Sequence, residues 1–139
     1  MAQQLTQALA RYQHTKKVGN LLFVAGQGCR DPSSNLYVGL TRDGTGKITS
    51  YDIVVQAAAV LANIERALAT HQLSRRDLVD INVFLTDIND FDKMNQVWNN
   101  FFSECEPPTR TTVAVTKLPG DNFIEMKAVA CFSELTTKK

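Results

Sequence analysis

The sequence has few of the residues that hold a metal ion or a disulfide framework. It contains three cysteines, an odd number, and they are widely spaced with no CxxC pair. Its two histidines are too few and too far apart for a zinc-dependent deaminase, and the HxE and PCxxC motifs of such enzymes are absent. We therefore expect free thiols at Cys29, Cys105 and Cys131, and neither a metal site nor a disulfide framework.

Excess charge and long apolar runs are also scarce. Fifteen Lys and Arg stand against fourteen Asp and Glu, so the net charge is +1 and no basic stripe tracks a phosphate backbone. No stretch approaches the roughly 18 consecutive apolar residues of a membrane-spanning helix, and the first residues lack the features of a secretory signal. These absences predict a cytoplasmic protein that binds neither nucleic acid nor membranes.

The sequence does have the length and makeup of one folded unit. It has 139 residues, of which 44% are hydrophobic and 21% charged, and no linker or internal repeat divides it. We expect a single domain over residues 1–139. Turn residues at positions 18–20 predict an opening hairpin formed by residues 11–16 and 20–25.

A long polar segment follows the hairpin. Residues 26–46 are rich in Gly, Pro, Ser, Asp and Asn, with a short strand expected at residues 36–40. Loops of this length in compact domains are often functional. The cluster Gly44, Gly46 and Lys47 does not have the spacing of a phosphate-binding loop, so a turn is the better interpretation there.

Two segments have the periodicity of amphipathic helices. The first covers about residues 52–71 and follows capping residues at positions 49–50. The second covers about residues 91–105 and follows an expected cap at Asp90. Asn95 lies at the edge of the apolar arc of the second helix, where a polar side chain can face a cleft.

Three further strands alternate in polarity. Residues 77–88 place Val79, Ile81, Val83 and Leu85 on one side. The stretch PPTRTTVAVTKLPGDNFIEMKAVA, residues 107–130, reads as two strands joined by a turn at residues 117–122. We expect one face of this hairpin to lie under the helices. That face contains Thr111, Val113, Val115, Ile124, Met126, Ala128, Ala130 and Phe132.

The opposite face of the expected hairpin mixes charged, polar and apolar side chains. It is too apolar to be left in water and too polar for a dry core, a composition typical of a subunit interface with a wet pocket. We therefore expect a homo-oligomer. The mixed face is expected to hold Arg110, Thr112, Ala114, Thr116, Phe123, Glu125, Lys127, Val129 and Cys131, joined by Asn82 and Phe84.

Two charges on this mixed face suggest either an ion pair or a site. Glu125 lies within an otherwise apolar strand, and Arg110 opens the expected partner strand. If Thr116 pairs with Phe123, Arg110 lies opposite about Val129, about four residues or ~13 Å along the strand from Glu125. That separation leaves room for a small ligand between the two side chains, or for a partner subunit that completes the site.

Several short motifs occur in an order that a known family shares. Toward the carboxy terminus they are Pro108-Thr109-Arg110, Val113, Leu118 and Ile124-Glu125-Met126; earlier ones are Arg11, Tyr12, residues 23–26, residues 89–91, Asn95, Phe101 and Phe102. This pattern resembles the RidA/YjgF family of enamine and imine deaminases. Within that family, Arg30-Asp31-Pro32 and the TRTTVAV run with Leu118 and Pro119 are most similar to the 2-aminomuconate deaminase branch.

The resemblance implies a fold, an assembly and a reaction. The fold is α+β and chorismate-mutase-like, a two-layer arrangement of a mixed β-sheet with two helices packed on one face, and three subunits form a homotrimer with clefts between them. The reaction is hydrolysis of the enamine or imine of a 2-amino-enoic acid to the keto or enol acid and ammonia, without a metal or organic cofactor. The expected substrate is 2-aminomuconate, and general activity on 2-aminoacrylate-type enamines is the alternative.

The resemblance also implies roles for individual residues. Arg110 would clamp the substrate carboxylate, since a guanidinium offers two parallel donors. Glu125 would orient or deprotonate the attacking water, or carry a proton to the enamine carbon, from a partly apolar pocket that raises its pKa. Tyr12 and Asn95 match cleft positions that close the site.

Three positions distinguish this chain from the broad family pattern. Thr112 stands at a substrate-binding position where a cysteine is common, so any role of that thiol is lost, and Ala25 replaces a frequent serine. Arg30 could bind the second carboxylate that 2-aminomuconate presents and 2-aminoacrylate lacks. Its alternative interpretation is a charge on the surface of the loop.

Other interpretations remain open at this point. Arg110 could be a solvated strand-end charge, Glu125 could pair with Lys127 or a neighbouring subunit, and Tyr12 and Asn95 could serve packing. A trimer that binds small carboxylates without turnover would use the same arginine. Chaperone-like and RNA-cleaving roles are known for similar proteins, but the net charge of +1 and the lack of basic and aromatic stacking platforms weigh against RNA.

Overall fold

A five-stranded mixed sheet organises residues 4–133, the part of the chain that this computed structural model describes. The strand order is β1-β2-β7-β5-β6, and β5 and β6 run parallel while the other neighbours are antiparallel. A second sheet consists of β3 and β4. The elements are β1 Thr15–Val18, β2 Leu21–Gln27, β3 Leu40–Arg42, β4 Ile48–Tyr51, α1 Ile53–Ala69, β5 Leu78–Leu85, α2 Phe91–Phe101, β6 Thr109–Ala114 and β7 Ile124–Cys131.

Both helices pack on one face of the large sheet and enclose the core there. The apolar stripe of α1 faces strand residues that alternate with exposed ones, as the period of two in β5 and β7 predicts. The predicted mixed sheet with two helices on one face is therefore confirmed. The central core side chains are Leu22, Val24, Val60, Leu61, Ile64, Ile81, Val83, Leu85, Ile124 and Met126.

The expected pairing of the last two strands is wrong. β5 lies between β6 and β7, so β6 pairs in parallel with β5 alone and forms an edge of the sheet. Short turns usually join antiparallel strands, and the segment between β6 and β7 has the sequence of a short turn, which suggested that these two strands pair with each other. The sequence pattern carries no signal for an earlier strand inserted between two consecutive ones, which is why the pairing was missed.

The inserted strand reverses the faces expected for β6. Arg110 and Thr112 pair with the buried Ile81 and Val83, and their side chains therefore point to the helix side of the sheet. Val113, expected in the core, is 43% exposed on the other side. On β7 the prediction is confirmed, because Ile124, Met126, Ala128 and Ala130 are all buried.

Smaller corrections concern where elements begin. The cap of α1 is Asp52 and not positions 49–50, since its carboxylate accepts hydrogen bonds from the backbone N–H of Val54 and Val55. Asp90 makes no capping bond and instead accepts one from the Tyr51 hydroxyl at 2.6 Å. Val79 is 43% exposed because the β5–β7 register shifts beside it.

The long polar segment is more ordered than a plain loop. The strand expected at residues 36–40 begins only at Leu40. It pairs with β4, a strand that was not predicted from the sequence. Two buried amides of α1 hold the segment against the helix. Asn63 donates to the carbonyl oxygens of Gly28 and Arg30, both at 2.9 Å, and Gln56 donates to that of Val38 at 3.0 Å.

Candidate functional site

A cavity of about 300 Å³ opens beside an irregularity in β2. The β2–β7 register shifts between Val24 and Gln27, so β2 bends away from regular pairing there. The cavity is lined by Gly26 and Gln27 of β2, by Glu125 of β7, and by side chains from the amino-terminal segment and the long polar segment. A pocket of this size suits a small molecule.

Among residues 4–133, Glu125 is the only carboxylate that lines this cavity. Burial raises the pKa of its carboxyl above the ordinary value, and within residues 4–133 no hydrogen bond or ion pair stabilises the charged form. The carboxyl lies against Gly26, where a Cβ atom would collide with Glu125 Oε2. The missing side chain at position 26 therefore makes the space that Glu125 occupies.

Arg30 and Tyr12 line the same cavity. The Arg30 guanidinium donates to Asn35 Oδ1 at 2.7 Å and to the Gln7 carbonyl oxygen at 2.5 Å. The Tyr12 hydroxyl accepts a hydrogen bond from the backbone N–H of Leu9 at 3.4 Å. Arg30 therefore holds the amino-terminal segment at the cavity, whereas the Tyr12 hydrogen bond lies within that segment.

Arg110 lies elsewhere, against the aromatic side chains of α2. Its guanidinium carbon is 4.7 Å from the centroid of the Trp98 ring and 5.4 Å from that of Phe91, and Nη1 is 3.7 Å from Met94 Sδ. Desolvation lowers the pKa of Arg110, although a guanidinium stays charged near neutral pH. No carboxylate of residues 4–133 forms an ion pair with it.

Thr112 and Asn95 belong to the Arg110 side of the molecule. Thr112 Oγ1 is sealed from solvent and has no hydrogen-bond partner in the structure. Asn95 is half-buried on α2, next to Met94 in the chain. Neither residue lines the cavity that contains Glu125.

The predicted site residues thus form two groups within one chain. Glu125, Tyr12 and Arg30 line the cavity, whereas Arg110, Thr112 and Asn95 do not. The expectation that Arg110 and Glu125 share one face of a hairpin is wrong, because Arg110 points to the helix side of the sheet and Glu125 pairs with Phe84 on the other side. A single chain therefore does not bring the two charges together.

The cavity wall also contains residues that were not predicted from the sequence. Among them are His14, Gln27, Tyr37 and Asn122. One signal was available, because Gln27 is a polar residue at the end of an otherwise apolar strand and directly follows Gly26. The other three lie in turns and loops, where periodicity carries no information about the direction of a side chain.

Two properties bear on the class of protein. Among residues 4–133, no helix combines the length and apolar character needed to cross a bilayer. Within the same residues, no three His, Cys, Asp or Glu side chains are grouped so that they could hold a metal ion. The fold and the cavity define an α+β protein with a desolvated carboxylate in a small-molecule pocket.

Comparison with known proteins gives the family. The family described as Endoribonuclease L-PSP matches residues 2–132. A RutC family protein of Pyrococcus abyssi is 41% identical over 119 residues, covering 86% of this chain and 84% of that protein. Escherichia coli TdcF, provisionally named a reactive intermediate deaminase, is 33% identical over 125 residues, covering 88% of each chain.

Solved structures agree with this assignment. The crystal structure of E. coli TdcF with bound serine has a TM-score of 0.82 at 30% identity and covers 96% of this chain and 97% of that one. The structure of the E. coli YjgF gene product also has a TM-score of 0.82, at 27% identity. The chain belongs to the Endoribonuclease L-PSP family, the RidA/YjgF family whose motifs it carries.

Proposed function

We propose that this protein is a deaminase that hydrolyses the enamine or imine of a 2-amino-enoic acid. The observation that carries the proposal is Glu125, a desolvated carboxylate without a partner among the described residues, in a cavity of about 300 Å³. The provisional name of TdcF supports the same reaction class. No metal or cofactor enters the proposed reaction.

The reaction needs a group that both accepts and donates a proton. The enamine first gains a proton on carbon and becomes an iminium ion, and water attacks the iminium carbon and loses a proton to give a carbinolamine. A proton then moves to the nitrogen, the C–N bond breaks as the carbinolamine hydroxyl loses its proton, and a keto acid and ammonia leave. A carboxyl whose pKa is raised toward neutrality suits both directions of transfer. Glu125 would deprotonate the water and return the proton to the departing nitrogen.

The carboxylate clamp in this proposal is Arg110 of a neighbouring subunit in a homotrimer. Arg110 lies on the edge strand β6, its charge has no carboxylate partner among residues 4–133, and its own chain holds it outside the cavity. The open face of the sheet leaves Phe23 38% and Val113 43% exposed, which suits an interface. In such a trimer, Thr112 and Asn95 would accompany Arg110 into the cleft.

The narrower proposal is that the substrate is a dicarboxylate such as 2-aminomuconate. Arg30 supports it, since it lines the cavity and, among residues 4–133, only two of its five N–H groups donate hydrogen bonds, to Asn35 and Gln7. The remaining donors could hold a second carboxylate. The alternative is a general enamine scavenger that acts on 2-aminoacrylate.

Two other functions make different demands on the protein. A carboxylate-binding trimer without turnover would need Arg110 but not Glu125. RNA cleavage, which the family description names, is not favoured because the net charge of the chain is only +1. A carboxylate-binding trimer has no use for the desolvated Glu125, so this group favours the deaminase over it.

The decisive experiment measures ammonia released from 2-aminomuconate and, in parallel, from 2-aminoacrylate generated in the assay. Turnover of either substrate that is lost in Glu125→Gln supports the deaminase. Turnover of the dicarboxylate alone supports the narrower proposal, and turnover of 2-aminoacrylate alone favours the general scavenger. Carboxylate binding without ammonia release from either substrate would overturn the proposed reaction.

A further inference from the structure

Gln27 is a buried amide in the cavity wall whose orientation is fixed by its neighbours. The residue is only 4% exposed, yet it lines the cavity. Its Nε2 atom is 3.0 Å from the carbonyl oxygen of Ala25 and 3.4 Å from His14 Nδ1. If the amide were flipped, Oε1 would face the Ala25 carbonyl oxygen and the two acceptors would repel each other, so Nε2 takes this position.

The same contacts define the tautomer of His14. Gln27 Nε2 can only donate, and so His14 Nδ1 must accept. His14 Nε2 is 2.5 Å from the Thr6 carbonyl oxygen, which can only accept, and therefore this nitrogen carries the proton. Both ring nitrogens of His14 are thus occupied by protein groups, which leaves the ring an orienting role rather than a proton-transfer role.

One hydrogen-bonding atom of this pair remains free. Both hydrogens of Gln27 Nε2 are used, but Oε1 accepts no hydrogen bond within residues 4–133. Among those residues, the side-chain N and O atoms that are both sealed from solvent and unbonded are Arg66 Nε and Thr112 Oγ1. Gln27 Oε1 is not one of these two atoms. Because it is unbonded, it must therefore be accessible to solvent, although the rest of the residue is enclosed in the cavity wall.

We propose that Gln27 Oε1 binds the nitrogen of the substrate and that His14 is the positioning residue that turns this oxygen toward the cavity. The inference rests on the proposed deaminase function and names the group that recognises the amino end of its substrate. Enamines, iminium ions and the protonated amine that leaves all carry N–H donors, and a neutral amide oxygen accepts from each of them. A keto acid has a carbonyl oxygen in place of the nitrogen, so it has no donor there and forms no hydrogen bond with Gln27 Oε1.

The test compares two ligands that differ in this one group. Calorimetric titration of the purified protein with L-2-aminobutyrate and with 2-oxobutyrate gives a ratio of dissociation constants. In Gln27→Met, which preserves shape but removes the acceptor, we expect the amino ligand to bind about 10- to 100-fold more weakly and 2-oxobutyrate to bind as before. Equal loss for both ligands, or no loss for either, would overturn the role of Gln27.

The positioning role of His14 has its own pair of variants. His14→Asn keeps an acceptor near the place of Nδ1 and should preserve the amino-to-keto ratio of dissociation constants, whereas His14→Leu removes it and should raise that ratio by about tenfold. His71 provides the control, because it bonds Thr15 Oγ1 at 3.0 Å and does not line the cavity. His71→Leu should leave the ratio unchanged. If His14→Leu also leaves it unchanged, His14 does not position the amide.

Failure of this inference is distinguishable from failure of the deaminase proposal. The ligand ratio is measured without turnover, so it can change in Gln27→Met even if the protein releases no ammonia. Conversely, ammonia release that survives in Gln27→Met with an unchanged ligand ratio would retain the deaminase and discard Gln27 as its nitrogen site. If Gln27→Met does not fold, the contrast between His14→Asn and His14→Leu decides the matter.

Discussion

Glu125 and Arg110 are both charged groups placed in poorly solvated surroundings, but their settings differ. Glu125 lines an open cavity and its pKa is raised by burial, whereas Arg110 rests on the rings of Trp98 and Phe91 on the helix side of the sheet. A charge without a partner in its own chain destabilises the fold unless something else compensates it. Under the proposed function, each residue is one half of a site, and the two halves come from different chains.

The largest expected effect, on turnover, follows from removing Glu125 in one variant and Arg110 in another. Glu125→Gln and Arg110→Met should each reduce turnover about 10²- to 10⁴-fold, since one removes the proton-transfer group and the other the carboxylate clamp. When the two inactive proteins are unfolded together and refolded as a mixture, about one site in four of a random assembly would combine an intact Glu125 with an intact Arg110. Ammonia release should therefore partly return.

The control for this experiment refolds each variant alone. If the mixture stays as inactive as its components while size-exclusion chromatography shows mixed assemblies, both charges of a working site come from one chain. That result would contradict the two-chain arrangement.

A smaller effect is expected at Gly26. Gly26→Ala places a methyl group against Glu125 Oε2 and should displace the carboxyl from its position. We expect kcat to fall by about tenfold or more, because a misplaced catalytic group loses much of its effect. Gly44→Ala is the matched control, since nothing lies within 4 Å of a Cβ atom at that position. Equal activity of both variants would show that Glu125 adjusts freely.

Arg30 should affect only one class of substrate. Arg30→Met should raise KM for a dicarboxylate about 10-fold or more and leave KM for 2-aminoacrylate within about twofold, because charge-assisted hydrogen bonds to the second carboxylate are lost. Arg42→Met is a control on the same segment, where Arg42 pairs with Asp121 at 2.9 Å outside the cavity. A parallel rise in KM for both substrates would indicate that Arg30 acts through the amino-terminal segment that it holds.

The smallest effect concerns stability and pH. The folded-state pKa of Glu125 lies above its unfolded value, so ionising this group costs the folded state free energy. Relative to Glu125→Gln, the free energy of unfolding of the wild type should be unchanged below the ordinary carboxyl pKa of about 4.3 and should fall as pH rises through the raised pKa. Chemical denaturation of both proteins across this pH range measures the difference. If the free energy of unfolding of the wild type instead rose relative to that of the variant as pH increased, the prediction would be wrong.

The helices, the strands that alternate cleanly and the identity of the family could be predicted from the sequence, for reasons visible in particular residues. Ile81, Val83 and Leu85 have a period that only a half-buried strand explains, and all three are buried. The direction of Arg110 could not be predicted the same way. It depends on which strand lies beside β6, and that is decided by long-range pairing rather than by the local pattern.

The candidate site shows the same division. Glu125 could be singled out because a carboxylate in an apolar strand is unusual, and Tyr12, Arg110 and Asn95 because their motifs matched a family. His14 and Gln27 escaped notice because their significance lies in one hydrogen bond between two segments of the chain. No pattern within either segment reports such a contact.

The contact between Arg110 and Trp98 also gives the protein an optical probe. The chain contains one tryptophan, so its indole emission reports on a single place, and the guanidinium of Arg110 lies 4.7 Å from that ring. A carboxylate drawn to the guanidinium would change the electric field at the indole. Intrinsic fluorescence could then follow ligand arrival in real time, with no label and no turnover required.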